Sequence, residues 1–414
     1  MSLIAFLVLF PLLAAALLLV LRDDKARSVV TYVSAALIAF AAILLAVTYL
    51  GAGVTYFNLP SDAADEAVSI IALLVDIALA VYIIAKSAKY RKWLPLVLAL
   101  IQAPLVAVFE LTKAGSIPVD FGFYIDNLSI IMAIIIGIIG SGICVYAVGY
   151  MRDHAAHLKE GEKDRRPVFF ALMFTFLSAM FLLVFANNLM WMFTAWEITT
   201  VCSFALIGYT RTEEAINNSF RQIWMNLIGG LAFAAAIVLI GMQQSVLELD
   251  KVINLGIGGG IMLLPIACLG LAACTKAAQS PFHSWLLGAM VAPTPTSALL
   301  HSSTMVKAGV FLLIKLAPCL GFNAPGIMIM IVGGFTFLMC SCMAISQSNA
   351  KRVLAYSTIA NLGLITACAG VGTPAAIWAA IFLLIFHACA KSLLVLCVGT
   401  SEHHIGSRNI EDID

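Results

Sequence analysis

The sequence predicts an all-α, polytopic transmembrane helix bundle. Of its 414 residues, 62% are hydrophobic and 11% charged, and the mean hydropathy is +1.04. Apolar stretches near 20 residues, the length that crosses a hydrocarbon core of about 30 Å, recur along the whole chain. Basic residues gather in alternate loops between those stretches. The formal net charge of +1 suggests neither nucleic acid nor an acidic substrate as partner, and no soluble domain is visible, so membrane lipid is the main surrounding.

Thirteen spans are expected: 3–21, 29–50, 67–86, 93–112, 127–150, 167–186, 188–209, 218–242, 258–291, 297–318, 325–346, 351–370 and 375–399. The first lacks a basic n-region and a small-residue cleavage signal, so it reads as helix one rather than a signal peptide. The ninth is too long for one ordinary helix, because its 34 residues would reach about 50 Å at about 1.5 Å each. It must tilt strongly or break, and Pro281 marks the natural break. Proline removes a backbone donor, and Gln279 and Ser280 before it can satisfy the groups it frees.

Orientation follows from the odd-numbered loops, which hold Arg22, Lys25 and Arg27; Lys86, Lys89, Arg91 and Lys92; Arg152, Lys159, Lys163, Arg165 and Arg166; Arg211 and Arg221; and Lys351 and Arg352. The even-numbered loops hold only Lys113 and Lys251. The positive-inside rule then places the N-terminus outside and the C-terminal tail, with Arg408, in the cytoplasm of a multi-pass cell-membrane protein. The loop His154–Arg166 carries mixed charge and reads as a solvated connection, with subunit docking as the alternative. Ten cysteines are scattered through apolar segments without a CxxC, which argues against zinc or iron–sulfur ligation. Cys340 and Cys342 are two apart on a helix and point to different faces.

Function should lie among the ionisable residues inside the spans: Glu197, Lys276, His301, Lys307, His387 and Lys391. A charged group at the bilayer centre costs roughly 2.5–3.5 kcal/mol even on the most lenient insertion scale, and is ordinarily retained for ion or proton traffic. Glu197 is the candidate partner of Lys276. His387 and Lys391, four apart, share one helix face and could hand a proton along it. His301 and Lys307, six apart, share a path only if their helix is distorted or a broad cavity joins them. A single buried histidine is ordinarily a satisfied core residue, and one Glu–Lys pair can be a structural clamp. Six such groups in four spans exceed that reading, because each adds its own burial cost. Lys315, near a span end, can snorkel. Asp76 has no evident partner, so subunit packing and transport both stay open for it, and Glu110 reads as solvated.

The segment Lys276-Ala-Ala-Gln-Ser-Pro-Phe-His-Ser-Trp, continuing to His301-Ser-Ser-Thr-Met-Val-Lys307, resembles the signature of antiporter-like subunits of complex I, Mrp cation/proton antiporters and energy-converting hydrogenases. Trp196-Glu197, Lys351-Arg352-Val-Leu-Ala-Tyr-Ser-Thr and His387-Ala-Cys-Ala-Lys391 extend the resemblance over about 120–405. It implies two inverted five-helix repeats, each with a broken helix, around an axis in which Glu197 and Lys276 interact, His301 and Lys307 carry protons inward, and His387 and Lys391 continue the path. The expected organisation is 1–126 as amino-terminal spans, with 67–112 an additional pair, 127–318 as the first repeat, and 319–414 as a partial second repeat with the tail. The chain stops at Asp414, where members of the family continue, so either a longer native chain or another subunit is expected to supply the missing wall.

The additional pair makes the chain look most like the large membrane subunit of Ech-type [NiFe] hydrogenases. The expected function is a proton (or sodium) translocating, non-redox subunit of a complex I-like assembly linked to ferredoxin. The alternative is a subunit of an Mrp-type secondary cation/proton antiporter. No cofactor motif is visible in this chain; nickel–iron and iron–sulfur centres are expected in partner subunits, namely other membrane subunits and a peripheral electron-transfer arm. Displacing the Glu197 charge relative to Lys276 would switch that lysine between holding and releasing a proton.

Overall fold

A computed structural model describes residues 1–156 and 164–412. Lys159 and Lys163 of the expected basic loop lie outside the described residues. The chain opens with α1 (Ser2–Val20) and α2 (Asp24–Tyr49), followed by β1 (Thr55–Phe57), α3 (Asp62–Lys89), α4 (Trp93–Thr112) and β2 (Phe123–Ile125). A long interrupted helix comes next: α5 (Asn127–Ile134), a π-helical segment Ile135–Gly140, and α6 (Ser141–Ala156). Then come α7 (Arg166–Phe185), α8 (Leu189–Ile207), α9 (Glu213–Gln244), α10 (Leu249–Ile257), α11 (Leu263–Lys276) and α12 (Ser284–Gly288). The last elements are α13 (Thr294–Ser302), α14 (Met305–Leu316), α15 (Ala324–Ile345), α16 (Ala350–Val371) and α17 (Pro374–Ile405).

Twelve helical stretches among the described residues are long and apolar enough to cross a membrane, which makes this a multi-pass membrane protein. The ninth expected span, 258–291, is the exception. Its helical part α11 ends at Lys276, and short α12 resumes after a gap, so the segment breaks as its length and Pro281 require. Side-chain caps start many of the helices. Asp23, Asp126, Thr212 and Thr373 each accept the amide three residues on, which satisfies donors that have no partner within the helix.

The span containing α13 and α14 is wholly buried and forms the centre of the bundle with α7 and α8, whereas α3, α15 and α17 keep large apolar side chains such as Ile71, Phe335 and Phe386 exposed. Helices that are apolar all round fit the first environment, and a lipid-facing flank fits the second. Cys340 is buried and Cys342 exposed, as their spacing requires. Close approach depends on a few glycines: a Cβ on Gly229 would lie 1.9 Å from Thr275 Oγ1, so α9 and α11 touch there only because that atom is missing.

One feature departs from an all-α chain. β1 and β2 pair antiparallel, Thr55 opposite Ile125 and Phe57 opposite Phe123, and thereby close the base of the segment that carries α3 and α4. Three-residue runs of aromatic and β-branched side chains have no helical period to reveal them, and they become strands because each supplies the other's partner.

The basic loops meet on one rim. Arg166 pairs with Asp24 at 2.9 Å, Arg165 donates to the Tyr209 carbonyl, and Lys92 donates to Asn217 at 3.0 Å. Lys351, expected as a loop charge, is buried there against Glu402 at 2.6 Å, with Arg408 on the same carboxylate. On the opposite rim Lys251 bridges Asp120 and Glu248, so both rims are tied across non-adjacent loops.

Candidate functional site

The site begins at the end of α11. Lys276 is its last residue, and the chain then leaves helical geometry through Ala277 and Ala278, the latter at φ 53°. The groups that the break frees are recovered nearby. Trp285 donates its indole N–H to the Thr275 carbonyl at 3.0 Å, Gln279 donates to the Ala277 carbonyl at 2.8 Å, and the Ser280 amide donates to Thr336 on α15 at 3.0 Å. This is how irregular backbone survives at membrane depth. Lys276 stands in the last turn of α11, the end at which the helix dipole favours a cation.

Lys276 is fully buried and donates to the Trp196 carbonyl at 2.8 Å and to Thr200 Oγ1 at 2.6 Å, with its ammonium 4.6 Å from the Trp196 ring centroid. Glu197 lies one residue from that carbonyl and is also buried, yet its Oε1 has no hydrogen-bond partner. The expected Glu197–Lys276 pair is therefore two neighbouring charges felt across a gap, with the ammonium seated on residues 196 and 200 of the same helix. Glu197 is packed against Gly230 on α9 and Gln102 on α4; a Cβ at Gly230 would come within 2.5 Å of Glu197 Oε1.

A second helix break stands beside the other four groups. α13 ends at Ser302, and α14 starts at Met305 after Ser303 and Thr304 leave helical geometry. Thr304 Oγ1 donates to the Leu299 carbonyl at 2.7 Å and Ser302 Oγ to that of Ala298 at 2.6 Å. The distortion that His301 and Lys307 need in order to share a path is present, and both are fully buried. Lys307 Nζ lies 2.8 Å from His387 Nδ1 and donates to the Leu384 carbonyl at 3.3 Å. His301 keeps both ring nitrogens free of protein partners, in the field of Lys391 and His387. Lys391 is 3% exposed and donates to Ser357 Oγ at 3.0 Å and the Leu354 carbonyl at 3.3 Å, so it is enclosed by protein on a helix that is otherwise largely exposed.

Residues 186–414 match the family described as NADH:quinone oxidoreductase/Mrp antiporter, TM. The chain belongs to this family. Residues 111–159 also match the family described as NADH-ubiquinone oxidoreductase (complex I), chain 5 N-terminus. A Rhizobium meliloti protein named for a probable K(+)/H(+) antiporter is 37% identical over 70% of this chain and 29% of its own length. The putative antiporter protein mnhA2 of Staphylococcus epidermidis is 33% identical over 89% of this chain and 46% of its own. This chain thus spans less than half of the length of these curated relatives. Among solved structures, the Mrp complex from a Dietzia species aligns at TM-score 0.64 and 30% identity over 82% of this chain and 38% of the other. The membrane-bound sulfane sulfur reductase, an archaeal respiratory membrane complex, shares the fold at TM-score 0.63 and 20% identity over 83% of this chain and 73% of the other.

Within this family member the six expected residues lie on α8, α11, α13, α14 and α17, and every one of them is buried. Lys315 departs from its expected role. It does not snorkel but is buried, pairing with Asp126 at 2.5 Å beneath the Tyr124 ring. Glu110 is not freely solvated, since its Oε2 is buried without a partner. Asp76 does have a partner, the hydroxyl of Thr194 at 2.8 Å. Sequence reasoning missed Thr200, although it stands three residues from Glu197 on the same helix face, and Gln102, a lone amide within an apolar span. A basin of about 880 Å³ opens on the basic rim between Glu213, Arg221, Ser284 and Lys351, which places the chain just after the Pro281 break at its wall.

Proposed function

We propose that this chain translocates protons as the antiporter-like subunit of a multi-subunit membrane complex exchanging or pumping cations, with Glu197, Lys276, His301, Lys307, His387 and Lys391 as the relay. The observation that carries this reading is the set of six buried ionisable groups at two broken helices and the helices packed on them, with Lys307 in direct contact with His387. The amines and imidazoles can each hold and release a proton, and neighbouring charges bias which of them does so. The positive-inside rule puts the basic rim in the cytoplasm, with the N-terminus outside and the cell membrane as the location.

The names of the relatives favour an Mrp-type cation/proton antiporter, in which this chain works with other membrane subunits. A second reading, a ferredoxin-linked energy-converting hydrogenase, is favoured by the α3–α4 pair, which is additional to the amino-terminal spans usual in the resemblance. In that case nickel–iron and iron–sulfur centres belong to partner subunits and a peripheral arm, and this chain performs no redox step itself. Residues 127–318 would form the first repeat and 319–414 part of the second in either case.

Mass spectrometry of the native, gently solubilised complex separates the two readings. Small membrane partners alone support the antiporter; hydrogenase and ferredoxin-like subunits support the redox-driven pump. Cation-dependent collapse of a pH gradient in membrane vesicles tests translocation itself.

A further inference from the structure

The α3–α4 hairpin takes no part in the relay described above, yet it brings two polar side chains into the apolar layer beside Glu197. Asp76 accepts from Thr194 through Oδ2, while its Oδ1 is buried with no partner. Gln102 is 6% exposed and Glu197 4% exposed, and each of them also leaves an oxygen buried without a donor. All three line one cavity of about 30 Å³ whose remaining wall is apolar, including Leu73, Ile77, Phe193 and Leu227. A space of that size admits one or two water molecules, and buried oxygens in an apolar wall are costly until a donor reaches them.

The same cavity leads toward the rim opposite the basic loops. A basin of about 680 Å³ opens there, lined by Asp65, Glu66, Ser69, Glu110 and Trp191, and Leu73 lines both spaces. Ser69, Leu73 and Asp76 follow one another at i, i+4 and i+7, so they form a single stripe on α3. Trp191 donates to Ser69 at 3.2 Å and Thr194 to Asp76 at 2.8 Å, which fastens that stripe to α8, the helix that carries Glu197. Two carboxylates facing one small apolar-walled cavity repel each other, and sharing one excess proton relieves the repulsion.

We infer that Asp76 exchanges protons with Glu197, and that the α3–α4 hairpin forms with α8 the half-path between Glu197 and the acidic basin. In each exchange one proton passes from water in the basin to the Asp76 carboxylate and through cavity water to Glu197, with no bond between heavy atoms made or broken. The inference rests on the relay reading of Glu197 and Lys276.

The competing role for Asp76 is a clamp that holds α3 to α8 through Thr194. Proton transport by the full complex in proteoliposomes, with subunit content measured alongside, separates the two. Asp76→Asn still accepts from Thr194 but cannot carry a proton, so the half-path predicts a loss of more than about tenfold, with Asp76→Glu restoring most of it. Thr194→Val removes the clamp and keeps the carboxyl, and most transport should remain. Full transport by Asp76→Asn, or a loss confined to Thr194→Val, overturns the inference. If Lys276→Ala is lost while Asp76→Asn is intact, the relay stands and only the half-path falls; if both transport fully, the relay falls too. Should Asp76→Asn not assemble, Leu73→Cys in a cysteine-free background decides. Labelling by a membrane-impermeant thiol reagent from the basin side is expected, and complete protection overturns the inference.

Discussion

Nζ of Lys307 lies 2.8 Å from Nδ1 of His387, which links α14 to α17 across 80 positions of sequence. The break at Ser303 and Thr304 separates His301 from Lys307 and starts the helix that carries Lys307. A charged amine can donate to an imidazole nitrogen that carries no hydrogen, and a neutral amine can accept from one that does. The pair is therefore built to exist in two protonation arrangements of nearly the same geometry.

Replacing Lys307 by arginine keeps a cation at this contact but removes the ability to release the proton, because a guanidinium does not deprotonate in proteins. Lys307→Arg should leave the complex assembled and lower proton transport by more than about tenfold. Transport in proteoliposomes, normalised to subunit content, checks this. Wild-type transport by Lys307→Arg would reduce the amine to a fixed charge.

Ser284 follows the Pro281 break and lines the basin on the basic rim. In a background without the native cysteines, Ser284→Cys should react with a small polar thiol reagent supplied from that side, whereas Ala273→Cys, fully buried on α11, should not. Equal protection at both positions would mean a dry, closed segment after the break.

Asp126 lies just outside the span it caps. Burial pushes its carboxyl up, but Lys315 at 2.5 Å and the Ser129 amide at 2.8 Å outweigh that and hold it below its ordinary range. A depressed carboxyl contributes stability that is present above the unfolded value of about 3.9 and is lost as pH falls through the folded value. The solubilised protein should accordingly lose this contribution only in strong acid. Lys315→Met removes the partner and should cost up to about 3 kcal/mol at neutral pH while flattening the acid dependence. Thermal unfolding between about pH 2 and pH 7 measures both effects, and melting of Lys315→Met unchanged from the wild type across that range would show that the pair contributes nothing.

The sequence carried the bundle because apolar length and alternating basic loops are direct consequences of the bilayer, and it carried the break after Lys276 because 34 apolar residues exceed one crossing. It also carried the six ionisable groups, whose burial costs make each of them conspicuous. The seat of Lys276 was not legible. The Trp196 carbonyl is a backbone atom with no sequence signature, and Thr200 shows itself only as a hydroxyl three residues from Glu197. The break at Ser303 was signalled only by three consecutive hydroxyl residues, without a proline. Lys315 and Asp126 are 189 positions apart, and no local period relates them. Asp76 and Thr194 are 118 positions apart, and the three-residue strands β1 and β2 that flank the hairpin leave no periodic trace.

The central claim is that Lys276 is a proton carrier rather than a structural cation, and transport by the purified complex carrying Lys276→Ala tests it most directly. Pumping or exchange should be followed as pH-gradient change in proteoliposomes, together with the amount of each subunit. The expected result is an assembled complex with transport reduced by more than about tenfold, and a similar loss for Glu197→Gln. Full transport by Lys276→Ala in an intact complex would contradict the proton-carrier role.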